Sequence, residues 1–195
     1  MPMQQVQQHY DYILEEYLSL EENAEYRSEY YNGEIIAMAG GTINHNRIAV
    51  NVGTALNFHF KDQKEYDVAI SDVKLWIPET QHFLYPDVMV IADKPVYYEN
   101  RKDTITNPLV IIEVLSKSTQ HYDKGDKFRY YRTLPSFKEY ILINQYECLI
   151  EQYTKISDYE WRISYKEHTD AMLKFVSFPF QISLQDIYNK VDFGS

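Results

Sequence analysis

Residues 107–116 read NPLVIIEVLS, from Asn107 to Ser116. In an extended chain Leu109, Ile111, Glu113 and Leu115 share one face, and Val110, Ile112 and Val114 share the other. Both faces are apolar except at Glu113. A strand with one wet face alternates, whereas a run like this one marks a central strand covered on both sides. An isolated ionised carboxylate in such a place costs roughly several kcal/mol. Three remedies exist: a basic partner, a protonated carboxyl, or a metal ion.

The stretch before it repeats the problem. Leu84 to Ala92 read LYPDVMVIA, a second buried strand with a carboxylate, Asp87, at its start. Asp87 shares a face with Tyr85, Met89 and Ile91. Two carboxylates on consecutive strands favour a shared cation, because neighbouring strands lie roughly 4.8 Å apart. Ligands that are all oxygen select Mg²⁺ or Mn²⁺ rather than zinc. The competing reading is a structural ion pair to Lys or Arg.

Working outward, the spacing predicts a helix from about Gln8 to Leu20, then a hairpin around Asn32-Gly33. In that hairpin Tyr31 faces Glu34, Glu29 faces Ile36, and all four lie on one side. A helix follows over about Ile43 to Lys61, with Ile48, Val52, Ala55 and Leu56 inward. His45 falls on the same stripe, where a satisfied core histidine competes with a functional one. Three strands come next, about Asp67 to Ile77, Leu84 to Ala92 and Leu109 to Ser116. Ser118-Thr119 offers an N-cap for a helix from about Gln120 to Leu134, stopped by Pro135. EYILIN is a fourth strand. Cys148 to about Phe180 alternates as an antiparallel meander, and SLQDIYNKV reads as a short closing helix.

This order gives an α+β class with an α/β-like core, a mixed sheet flanked by helices. The 195 residues suit one domain,. Its core spans about residues 30–153 and its C-terminal β extension about 148–195. Net charge is −10, so nucleic-acid binding through bulk positive charge is excluded and any such binding is local or metal-assisted,. The single cysteine, Cys148, rules out an intramolecular disulfide and a thiolate metal cluster and fits a reducing cytoplasm,. No basic leader and no apolar run of ~18 residues is present, so neither a signal peptide nor a membrane span is expected. Phosphate-loop, dinucleotide, GxSxG and HExxH motifs are absent.

Lys127 sits beside Phe128 and four residues before Tyr131, at the edge of its helix's buried face. It can reach back toward the Glu113 strand, with Asp123 four residues before it as a pairing partner. An ordinary surface lysine is the alternative. Asp72 either adds a ligand, pairs with Lys74, or lies at the sheet margin.

YYNGEIIAMAGGTINHNRI, YPDVMVIAD and PLVIIEVLSKSTQHYDKGDKFRYYRTLPSFKEYILIN together resemble a bacterial family of restriction-endonuclease-like domains. That family sits within the PD-(D/E)XK nuclease superfamily. The resemblance runs over about Tyr30 to Tyr153, and its most specific part is EVLSKST with the Asp123-x-x-x-Lys127 that follows. It implies a restriction-endonuclease-like αβββαβ core, which agrees with the order above. It also implies that Asp87 and Glu113 bind the divalent ion. The superfamily places a lysine two residues after the second acid; here that residue is Leu115, and Lys127 looks like its displaced substitute. A further acid often lies on the first core helix. None lies on the inward stripe here, and Glu34 or Glu29 stands in, with Glu34 preferred over a solvent-facing reading.

The function expected is a Mg²⁺- or Mn²⁺-dependent DNA endonuclease. Asp87 and Glu113 hold the ion, the Val114 carbonyl adds a ligand, and Lys127 assists, with Glu34 and His45 nearby. Arg47, Lys124, Arg129 and Arg132 are candidate DNA contacts. A homodimer through the Tyr-rich C-terminal part follows by analogy with nucleases that cut two-fold sites. Two other classes stay open: a binding protein that keeps the fold without catalysis, and a hydrolase of small phosphoesters.

Overall fold

The computed structural model describes residues 12–38 and 40–194. Helix α1 (Leu14–Glu22) leads into the hairpin of β1 (Ser28–Tyr31) and β2 (Glu34–Ala37). The first part of the helix expected from Gln8 lies outside the described residues. Asn32 and Gly33 carry the turn with φ of 43° and 106°, a backbone that Asn and Gly tolerate best,. The register is the expected one: Tyr31 opposes Glu34 and Glu29 opposes Ile36.

Helix α2 (Ile43–Phe60) is capped by Thr42, whose Oγ1 accepts from the His45 backbone N–H at 3.1 Å,. Its stripe of Ile48, Val52 and Leu56 is fully buried. It packs against the main sheet closely. A Cβ placed on Gly53 would lie 2.4 Å from Ile70 Cδ1, so glycine there permits the approach,.

The main sheet has six strands. In spatial order they are β11 (Trp161–Lys166), β10 (Ile150–Lys155), β9 (Glu139–Asn144), β8 (Pro108–Leu115), β6 (Val88–Ala92) and β3 (Tyr66–Ile70). Strand β8 is central, antiparallel to β6 and parallel to β9. A parallel neighbour needs a crossover, and the helical segment after β8 supplies it. Val110, Ile112 and Val114 face α2, while Ile111 and Leu115 face a second core with Leu75, Leu84 and Tyr140. The chain order through this sheet, α2, β3, β6, β8, helix and β9, is the expected αβββαβ.

Two of the expected strands are in fact broken. Residues 67–77 divide into β3 and β4 (Lys74–Ile77), and residues 84–92 begin with the last residue of β5 (His82–Leu84) before β6. Both β4 and β5 belong to a second sheet, ordered β2-β1-β5-β4-β7, where β7 is Thr104–Ile105. One break falls at Ser71, which has φ of 54°, and the other at Pro86, which has no N–H for a ladder,. At each of these two breaks the chain crosses from one sheet to the other, and the two crossing points lie side by side: Ser71 N donates to the Asp87 carbonyl at 2.9 Å. The second sheet covers one face of the main sheet, a role expected for a helix.

The crossover departs from a plain helix. It runs as α3 (Gln120–Tyr122), a π-helical turn over Asp123–Lys127, and α4 (Phe128–Tyr131), ending short of Leu134. Thr119 gives no side-chain cap to it. The expected meander also divides: β10 and β11 extend the main sheet, while β12 (Met172–Lys174) and β13 (Gln181–Ser183) pair separately. Ser183 caps the closing helix α5 (Leu184–Ile187). No helix among the described residues is long and apolar enough to cross a membrane.

Candidate metal and nuclease site

Where β6 stops, β8 continues. The last pair of their ladder is Val88 with Ile112. Beyond it Pro86 cannot donate, and the Asp87 side chain takes the place of a strand: Val114 N donates to Asp87 Oδ2 at 2.7 Å. The same oxygen lies 3.2 Å from His45 Nε2. Asp87 N in turn donates to Glu113 Oε2 at 3.3 Å. The two residues therefore adjoin at the mouth of the central strand, the Glu113 carboxylate accepting from the Asp87 N–H and the Asp87 carboxylate from the N–H next to Glu113. His45, on α2, is held against Asp87 rather than in the core alone.

Glu113 is buried, and its Oε1 accepts from Lys127 Nζ at 3.1 Å and from the Tyr131 hydroxyl at 2.8 Å. Lys127 Nζ is also 3.3 Å from Asp123 Oδ1 and 3.7 Å from Glu29 Oε1. The π turn sets Asp123 and Lys127 together on the inner side of the crossover, a geometry often found at functional sites,. Glu29 is anchored from the hairpin: its Oε1 accepts from Tyr85 N at 3.1 Å, and its Oε2 accepts from the Tyr31 hydroxyl. Glu34 lies exposed, on the wall of a cavity that Glu29 also lines.

The cluster is rich in negative charge. Asp87, Glu113, Asp123 and Glu29 face one lysine and one histidine. Burial raises the Glu113 carboxyl to about 8, with Lys127 pulling it down and Asp87 and Asp123 pushing it up. Burial also raises Asp123, opposed by Lys127. For Lys127 burial acts to lower the pKa, but Glu113, Glu29 and Asp123 outweigh it and hold the ammonium charged. For His45 burial again acts downward, and the bond to Asp87 with the charges of Asp87 and Asp123 raises it overall.

These groups lie at one side of a cavity of about 1410 Å³. Its wall includes Tyr31, His82, Tyr122 and Tyr130, whose rings contact one another in a closed circuit with centroids 4.1–6.4 Å apart. The other expected residues lie elsewhere. Asp72 is exposed and pairs with Arg27, while Lys74 pairs with Asp103 at 3.2 Å. Lys124 pairs with Glu151, Arg129 pairs with Asp126 at 3.1 Å, and Arg132 covers the Phe128 ring. None of Arg47, Lys124, Arg129 or Arg132 lines the cavity.

A model of the Uma2 family, described as "Putative restriction endonuclease", matches residues 14–185, most of the chain. The protein belongs to the Uma2 family. Among its relatives is "Uncharacterized protein sll1609" of Synechocystis, 42% identical over 160 residues, covering 82% of this chain and 90% of that protein. "Uncharacterized protein slr1290" of the same organism is 37% identical over 173 residues, 87% of this chain and 88% of that one. Among solved structures, a protein of Anabaena variabilis titled "a putative nuclease belonging to DUF820" superposes with a TM-score of 0.74. It shares 21% identity, over 91% of this chain and 97% of that one, a likeness that shows the fold.

Does this Uma2 site fit a divalent ion? Among the described residues no three His, Cys, Asp or Glu side chains are grouped to hold one unaided. Asp87 and Glu113 form a pair. A pair is enough for Mg²⁺, which commonly uses one or two carboxylates and completes its shell with water and substrate phosphate. The donor set is hard oxygen, and the surplus of buried carboxylate over cation is what a bound cation would relieve. The residues fit.

Tyr131 was the less visible member. Tyr131 reads from sequence as core, because a buried tyrosine's ring dominates its pattern and its hydroxyl leaves no mark. Asp123 was visible as the i, i+4 partner of Lys127, and the structure places that pair as read.

Proposed function

We propose that this Uma2 protein is a metal-dependent nuclease that hydrolyses phosphodiester bonds in DNA. The observation carrying the reading is the Asp87–Glu113 pair at the edge of a large cavity, Glu113 buried and Asp87 half-buried, in a cluster where carboxylates outnumber cations. Asp87 and Glu113 would hold Mg²⁺ or Mn²⁺, with the Val114 carbonyl as a further oxygen donor. An ion there supplies Lewis-acid charge to the scissile phosphate and lowers the pKa of the attacking water.

The chain's own groups supply the rest. His45 and the Val114 N–H fix the Asp87 carboxylate in one orientation, and Tyr131 and Lys127 do the same for Glu113. Asp123 and Glu29 keep Lys127 charged and aimed at the site. Its ammonium can then offset negative charge that grows on the phosphate as water attacks. Lys127 thereby takes the part of the lysine that Leu115 does not provide, and it does so from the crossover rather than from the strand.

A second reading, a nuclease fold kept for binding without catalysis, draws on that same Leu115 and on the absence, among the described residues, of a third ligating side chain. Incubating purified protein with single-stranded DNA, plasmid and linear duplex separates the two. The proposal expects nicking or cutting with Mg²⁺ or Mn²⁺ and none in excess EDTA. Cleavage that persists in EDTA contradicts the metal role, and no cleavage with either ion favours the second reading.

A further inference from the structure

Strands β8 and β9 run parallel, and their carboxyl ends open on the cavity, with Leu115 opposite Asn144. Ligands of mixed α/β sheets characteristically lie beyond such ends. Just past them stand Lys117 and Tyr146. The Lys117 ammonium lies 5.3 Å from the centre of the Tyr146 ring, and Lys117 N is 3.3 Å from the Tyr146 hydroxyl. Tyr146 is 42% exposed, so its ring remains available to a ligand.

The loops that carry this pair are fixed from beneath. Gln145 is buried, donates from Nε2 to the Leu115 carbonyl at 2.8 Å, and accepts from the Thr42 hydroxyl. Tyr146 N donates to Asn144 Oδ1 at 2.9 Å, and Asn144 Nδ2 donates to Glu147. Ser116 Oγ lies 3.0 Å from Ser118 Oγ and 2.9 Å from Thr119 Oγ1, which ties together the turn that carries Lys117.

Charge then decides what the pair can bind. Arg27, Lys117 and Lys127 are the Lys and Arg residues lining the cavity. Arg27 is paired with Asp72, and Lys127 with Glu113, Asp123 and Glu29. Lys117 makes no ion pair among the described residues. A duplex bound through its backbone needs several phosphates neutralised at once. One free lysine in a chain of net charge −10 cannot do this. Stacking needs no net charge, and it needs bases that are unpaired.

We propose that Lys117 and Tyr146 form a nucleotide-binding subsite for single-stranded nucleic acid. Tyr146 stacks an unpaired base, and Lys117 contacts the adjacent phosphate, close to the Asp87–Glu113 pair. The inference rests on the nuclease reading and narrows its substrate to unpaired or frayed strands.

Fluorescence anisotropy tests it on the full chain, with Ca²⁺ replacing Mg²⁺ to suppress cleavage. The probes are a short labelled single strand and the same sequence as a blunt duplex. The single strand is expected to bind at least about tenfold more tightly. Tyr146→Ala weakens its binding roughly 5- to 150-fold, and Tyr146→Phe retains most of it. Lys117→Gln lowers the slope of log affinity against log salt by about 0.7. Equal affinity for duplex, indifference to Tyr146→Ala, or no binding of either probe overturns the subsite. DNA cleavage with unchanged binding in Tyr146→Ala leaves the nuclease reading intact. Tyr146-dependent strand binding without cleavage under any ion overturns the nuclease reading alone.

Discussion

Glu113→Gln is expected to lower kcat/KM for DNA cleavage by roughly 10³-fold or more while leaving the chain folded. The substitution keeps the size of the side chain and an oxygen for the Tyr131 hydroxyl, but removes the charge that would hold the ion. Loss of that ligand forfeits several kcal/mol of charge stabilisation, and each ~1.4 kcal/mol is a factor of ten in rate. Lys127 still faces Asp123 and Glu29, so no cation is left buried alone. Asp87→Asn is expected to act alike, since an amide oxygen can still accept the Val114 N–H. Cleavage kinetics beside circular dichroism read both effects. Near-normal rates in either variant would remove that residue from the site.

Lys127→Met should show the largest stability effect of any single change in the cluster. Lys127 is 7% exposed and its ammonium serves three carboxylates. Without it Asp123 and Glu29 stay buried with no counter-charge and Glu113, already raised by burial, takes up a proton; removing one partner of a buried pair costs about 3–5 kcal/mol,. Urea unfolding without divalent ions measures the loss. Adding Glu113→Gln to Lys127→Met should recover part of it, because the two groups touch and their effects cannot add. A loss below about 1 kcal/mol for Lys127→Met would mean that water already solvates the cluster, and the account of Lys127 as a buried cation would fail.

The sequence made some of this visible and hid the rest for physical reasons. NPLVIIEVLS declared its central position because both of its faces had to be apolar, and the Asn-Gly turn declared its register because few residues accept positive φ. The switches at Ser71 and Pro86 stayed hidden. Alternation continues across each of them, and a period of two says which face a residue takes but not which sheet. Those switches matter, since Asp87 stands at one of them and owes its place to a strand that ends just before it. The π turn left no trace either, because its composition is that of an ordinary helix.

Among the site residues, the legible ones were those whose burial conflicts with their chemistry. Asp87 and Glu113 stood out as carboxylates in apolar runs. His45 lay on a helical stripe, and the structure gives that position a partner in Asp87. Glu29 and Glu34 shared a hairpin face, and nothing local separates them. What brings Glu29 to Lys127 is the pairing of β1 with β5 and the bond from Tyr85, both long-range. Lys117 and Tyr146 lie in loops after two strands, where sequence periodicity carries no information.

The central claim is that Asp87 and Glu113 share one divalent ion. Crystals grown with Mn²⁺ test it through anomalous scattering. The account expects a peak within coordination distance, roughly 2.0–2.3 Å, of a carboxylate oxygen from each residue. A structure in saturating Mn²⁺ with no peak there, and with both carboxylates still satisfied by His45 and Lys127 alone, would contradict it.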